Sequence, residues 1–210
     1  MQGEVFSVGS IDSETQALVR EAIQNSLDAA IPGEGPVRVR MFISGLDGAL
    51  AAARAQKYFG DLAWLHFQSL EIGLKELPSQ EDDCQFVAIE DFGTQGFVGD
   101  FTVWDYQPDS SQRNAFYFFL RAEGRSQKEE TDRGRWGIGK FVFPKASRIR
   151  SFFVLTKRAD DGRVLLAGQA VLKSHHVEGT AYTPDGWFGV QGEDEVPLPT
   201  EDAVLIENFS

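Results

Sequence analysis

Glu21, Asn25 and Asp28 stand at i, i+4 and i+7 in the run "REAIQNSLDA", so a helix through this run presents all three on one side. A carboxylate and a carboxamide so placed suit a definite chemistry. Glu21 can act as general base toward a water, and Asn25 can offer its amide oxygen to Mg²⁺, a cation that takes hard oxygen ligands and keeps waters beside a substrate phosphate. The plainer reading is the solvated side of an amphipathic helix whose core face is Val19, Ile23, Leu27 and Ala30. On this stretch alone both readings stand.

Two further stretches bear on the choice. In "AIEDFGTQG", Asp91 follows an apolar run and precedes glycines, a way of presenting a carboxylate at a pocket floor. There it can accept a hydrogen bond from the exocyclic amine of adenine, with Gly93 letting the base lie close to the backbone. Its plainer role is to cap a turn. In "GRWGIGKFVF", Gly134, Gly137 and Gly139 free the backbone N–H groups to wrap phosphate oxygens, with Lys140, Arg135 or Arg133 to neutralise charge. A flexible turn before a core strand is the alternative, and Trp136 within it reads as a packing residue.

The elements that must carry these residues follow from periodicity and punctuation. Residues 12–30 read as a helix, with Ser13 and Gln16 in a capping-box pattern and "IPGEGP" as its stop. "VRVRMFI" alternates as a half-buried strand. "DGALAAARAQKYFG" and "LAWLHFQSL" read as helices broken near Gly60, and "CQFVAIED" reads as a buried strand. A helical stretch near "NAFYFFLRA" leads into polar "EGRSQKEETDRGR", expected to be a lid over about 121–139. "RIRSFFVLTKR" and "RVLLAGQAVLK", joined by "ADDG", read as a β-hairpin. The remainder is loop-rich and acidic, and the strand-like ending "AVLIENFS" suggests a chain that continues.

Bulk properties set limits. The chain has 210 residues, 42% of them hydrophobic and 17 of them Phe, enough for one domain with a substantial core. A net charge of -12 argues against direct nucleic-acid binding through a basic surface. The single Cys84 excludes an internal disulfide framework, and the start "MQGEVFSVGS" has no signal-peptide character. No apolar run approaches membrane-spanning length. The expectation is a soluble, cytoplasmic protein without a membrane partner.

Glu21-x-x-x-Asn25-x-x-Asp28-Ala29, then Asp91-x-Gly93, then Gly134-x-x-Gly137-x-Gly139 resembles, in order and spacing, the GHKL ATPase superfamily of gyrase B, the heat-shock chaperone, histidine kinases and MutL. The resemblance spans roughly residues 12–156, and the glycine stretch is most similar to that of the chaperone and topoisomerase branches. It implies an α+β fold of the Bergerat type, a two-layer sandwich with helices on one face of a mixed, largely antiparallel sheet. It implies ATP and Mg²⁺ as ligands, with Glu21 polarising the attacking water and Asn25 holding the metal. Asp28, Asp91 and Gly93 would contact the nucleotide, and Gly134, Gly137, Ile138, Gly139 and Lys140 its phosphates. As partners it implies a nucleotide-dependent homodimer and further domains of a larger bacterial machine, in DNA processing or phage defence. The alternative is a nucleotide-gated interaction module without useful turnover.

Two departures from the pattern are visible. The adenine motif usually runs Asp-x-Gly-x-Gly, and here Gly96 stands one residue late. The family's late Gly-Thr is matched only by Gly179-Thr180, in loop-like surroundings, or lies beyond Ser210. Two other nucleotide motifs fail. Phe141 stands where a P-loop needs Ser or Thr, and "DFG" at 91–93 lacks the kinase order of motifs. His175 and His176 are adjacent in a strand-like run, so they face opposite ways and read as structural.

Overall fold

The computed structural model describes residues 14–104, 114–121, 141–193 and 196–209. Ser13, most of the expected lid and the glycine stretch, with Arg133, Gly134, Arg135, Trp136, Gly137, Ile138, Gly139 and Lys140, lie outside them. In chain order the elements are α1 (Glu14–Asp28), β1 (Arg38–Ile43), α2 (Ala52–Phe67), β2 (Val87–Phe92), a π-helical turn (Tyr117–Arg121) and α3 (Val142–Ala146). There follow β3 (Ser151–Lys157), β4 (Val164–Val171), β5 (His175–Val177), β6 (Thr180–Tyr182), β7 (Asp185–Phe188), β8 (Val190–Gln191), β9 (Pro197–Leu198) and α4 (Ala203–Ile206). The class is α+β, and every strand pairing among the described residues is antiparallel.

The central sheet runs β3-β4-β7. Its first strand, "SFFVLTK", is apolar at both parities, so both of its faces need cover. Phe152 and Val154 pack on a cluster of Phe116, Leu120 and Ala167, and Phe152 also meets Phe143 of α3. Phe153 points the other way, into Tyr58 and Phe59 of α2 and Phe209 beyond α4. Helical elements thus lie on both faces of this sheet, where the resemblance implies helices on one face. α2 breaks where expected, at Gly60, whose φ of 52° no continuous helix accepts.

β1 and β2 form a separate two-stranded ribbon with Arg38 opposite Phe92, Val39 opposite Asp91 and Ile43 opposite Val87. The expectations of a buried strand at 84–91 and a half-buried one at 37–43 are both corrected: Val87 is 54% exposed, and Met41 and Ile43 are 39% and 74% exposed. One face carries Arg38, Arg40 and Glu90, with both guanidinium groups over the Phe92 ring. The other carries apolar side chains and Asp91. An unbroken apolar run reads alike whether its strand has one neighbour or two, so burial here was not decidable from pattern.

The closing "AVLI" is also corrected, from strand-like to the helical turn α4. Asp202 sets it, its carboxylate accepting from the N–H groups of Val204 at 2.8 Å and Leu205 at 3.2 Å. No described helix is long and apolar enough to cross a membrane.

Candidate functional site

α1 carries the first three candidates, and its inner side is not the one that hydrophobicity selects. Ala17, Ala22 and Ser26 are buried, and Leu18, Glu21, Asn25 and Asp28 are half-buried beside them. Ile23 and Leu27, expected in the core, are 40% and 57% exposed. The expected core face is therefore corrected in part: Val19 and Ala30 are half-buried, Ile23 and Leu27 face outward, and the polar triad is as enclosed as Val19 and Ala30. The buried residues on this side are small, and the Ser26 hydroxyl is satisfied within the helix by donating to Ala22 O at 2.9 Å. Asp28 accepts from Gln24 Nε2 at 3.1 Å.

The C-terminal end of α1 is tied directly to the loop that follows Asp91. Ile31 N–H donates to Gly93 O at 3.1 Å, Gln95 N–H donates to Ala29 O at 2.9 Å, and Ala30 bridges Thr94. Ala29 N–H in turn donates to Asn25 O at 3.1 Å. Asp91 is exposed, and one of its carboxylate oxygens accepts from Thr94 Oγ1 at 3.0 Å, the turn-capping role open to it from sequence. Gly93 holds φ +80°, and a Cβ there would stand 3.4 Å from Pro36 O. Its glycine character thus has a backbone reason besides room for a base.

Gly96, the residue out of step with the family spacing, sits at φ +66° against β3. A Cβ there would fall 2.4 Å from Lys157 O and 2.6 Å from Thr156 Oγ1. Its role is close approach between the loop and β3.

The third motif is approached from its far side. α3 begins directly after the glycine stretch and packs along α1, with Lys145 Nζ 3.3 Å from Glu14 Oε1. Two of the three motifs are thus joined by hydrogen bonds, and the element following the third packs on the same helix. At the near end of the expected lid, Arg121 donates to the carbonyls of Val103 and Pro197 and lies 4.7 Å over the Trp104 ring. Burial pulls its pKa down to about 10, so it stays protonated at neutral pH.

Other sequence-stated residues fall away from this place. Gly179 and Thr180 lie at the β5–β6 hairpin, with Glu178 at φ 48° and Gly179 at φ 82°, and Thr180 is exposed. His175 is buried and His176 exposed, facing opposite ways as expected. Their partners leave no local signal in the sequence. His175 Nε2 lies 2.7 Å from His66 Nδ1, and His176 N–H donates to Glu71 Oε2 at 2.8 Å. Burial first, and then the neighbouring His175, holds the His66 pKa below its ordinary value.

Arg158, a functional candidate with almost no trace in the sequence, holds the loop after Gly96 from the β3–β4 turn. The only local hint was the order "RADD", an arginine followed closely by two carboxylates. Comparisons with known protein families, curated proteins and solved structures returned no match.

Proposed function

We propose that the chain is a GHKL-type nucleotide module that binds Mg-ATP between α1 and the Asp91–Gly96 segment and hydrolyses it. The observation that carries this reading is the pair of hydrogen bonds Ile31–Gly93 and Gln95–Ala29. They join the helix bearing Glu21 and Asn25 to the loop that follows Asp91 at the end of β2, two motifs about 60–70 residues apart in sequence, as one shared site requires. The inward turn of the polar side of α1 supports it as well, since a merely solvated face would point outward.

Among the described residues, Asn25 is the one that suits an implied ligand. Asn25 supplies one hard, half-enclosed oxygen donor, which suits a cation that takes most of its shell from phosphate and water. Bound Mg²⁺ would neutralise phosphate charge. The chain's own part is to orient and to move a proton: Glu21 accepts one from a water held at the end of the phosphate chain, and Asp91 accepts a hydrogen bond from the base. Catalysis of this class rests on positioning and electrostatics.

The deciding experiment is calorimetric titration of a non-hydrolysable ATP analogue, with and without Mg²⁺, beside GTP. Magnesium-dependent, adenine-selective binding supports the reading, and equal affinity in wild type and Asp91→Asn overturns the site. Binding without turnover in a steady-state phosphate-release assay would favour the second reading, a nucleotide-gated interaction module. Nucleotide-dependent dimerisation and coupling to further domains belong to either version.

A further inference from the structure

Arg158, at the end of β3, is only 5% exposed in its side chain. A guanidinium that deep persists where its donors are spent in good geometry. Two of its contacts are to carboxylates of its own turn, Nε to Asp161 Oδ1 at 2.9 Å and Nη2 to Asp160 Oδ2 at 2.8 Å. Nη1 reaches across to the loop after the Asp91 motif, donating to Phe97 O at 3.2 Å and Gly99 O at 2.7 Å. Asp160 Oδ2 meanwhile accepts from Gly99 N–H at 3.0 Å, so the Arg158–Asp160 pair grips both the donor and the acceptor of that loop residue.

Three more contacts fix the same loop against β3 and its turn. Thr156 Oγ1 accepts from Phe97 N–H at 2.9 Å, Ala159 N–H donates to Gln95 O at 3.0 Å, and Gly96 lies too close to Lys157 for any side chain. Gln95 is the junction. Its carbonyl takes the hydrogen bond from the β3–β4 turn, and its N–H passes one to Ala29 O, whose own N–H reaches Asn25 O. Gln95 also lies in the interval that is one residue longer than the family spacing.

We propose that Arg158 is a positioning residue of the nucleotide site. With Asp160 it locks the 95–99 loop to the β3–β4 turn and so sets the separation of Asn25 from Asp91. This rests on the nucleotide reading above for its functional meaning, while the mechanical linkage is testable without nucleotide.

The test compares Arg158→Lys with Leu165→Ala, a destabilising core change in β4, each studied well below its melting temperature. Lysine keeps the charge and loses the fork. Amide hydrogen exchange on the unliganded chain should rise about tenfold at Ala29, Ile31, Gln95 and Gly99 in Arg158→Lys, roughly the loss of one hydrogen bond to a charged group. The same amides should be unaffected in Leu165→Ala relative to the rest of the sheet. Titration should then show the preference for the ATP analogue over GTP falling about tenfold in Arg158→Lys and staying intact in Leu165→Ala. Exchange that is unchanged, or that rises uniformly over β3 and β4, overturns the linkage whatever the nucleotide result. Localised exchange with no ATP binding by wild type overturns the nucleotide reading instead. Localised exchange with selectivity unchanged overturns the positioning role alone.

Discussion

Replacing Gly96 by alanine puts a methyl carbon 2.4 Å from Lys157 O and 2.6 Å from Thr156 Oγ1, at a residue held at φ +66°. Two penalties follow. A left-handed conformation costs a side-chain-bearing residue about 1–2 kcal/mol. The overlap adds about 1–3 kcal/mol, because Lys157 O is backbone of a paired strand and cannot rotate aside. Gly45 separates the two, since it has φ +58° and nothing within 4 Å of its notional Cβ. Gly45→Ala therefore bears the conformational part alone. Gly96→Ala should be the less stable of the two by about 2 kcal/mol, or about 4–8 °C in melting temperature for a chain of this size. Urea and thermal unfolding of the two variants side by side measure the difference, and similar midpoints would refute the close approach of the loop to β3. The displaced loop carries Gln95, so Gly96→Ala should also weaken binding of the ATP analogue, and Gly45→Ala should not.

Glu21→Gln should retain nucleotide binding and lose turnover by about 10²–10⁴, the usual range for a general base, in a phosphate-release assay at saturating ATP. Asn25→Ala should remove most of the difference between titrations with and without Mg²⁺, whereas Asp91→Asn should lower ATP affinity and leave that difference in place. Because the folded-state pKa of His66 lies below its ordinary 6.5, the unfolded chain binds the extra proton first. Its contribution to stability is therefore complete above pH about 6.5 and declines as pH falls toward the folded value. Urea midpoints from pH 8 to 5 should show this decline, and His66→Gln should reduce it. His175, His176, Glu71 and Lys173 stand close by and are unchanged in that variant.

The sequence by itself determined most of the local elements, the closing helical turn α4 excepted, and it suggested the chemistry proposed for them. Apolar periodicity with glycine and proline stops placed α1, the broken α2 and the β3–β4 hairpin, because each is encoded within a dozen or so neighbouring residues. Spacing along one helix was enough to put Glu21, Asn25 and Asp28 on a common side. Which side turned inward was a tertiary decision. The small residues Ala17, Ala22 and Ser26 took the enclosed face, and Ile23 and Leu27 were left outside against their hydrophobicity. The exposure of the β1–β2 ribbon was likewise settled by how many elements cover it, which no alternation within a strand records. The pairing of His66 with His175 and the grip of Arg158 on the Gly99 loop join residues 109 and 59 apart. Such contacts exist only once the chain has folded back on itself, since a hydrogen bond depends on distance in space and leaves no periodic trace in sequence.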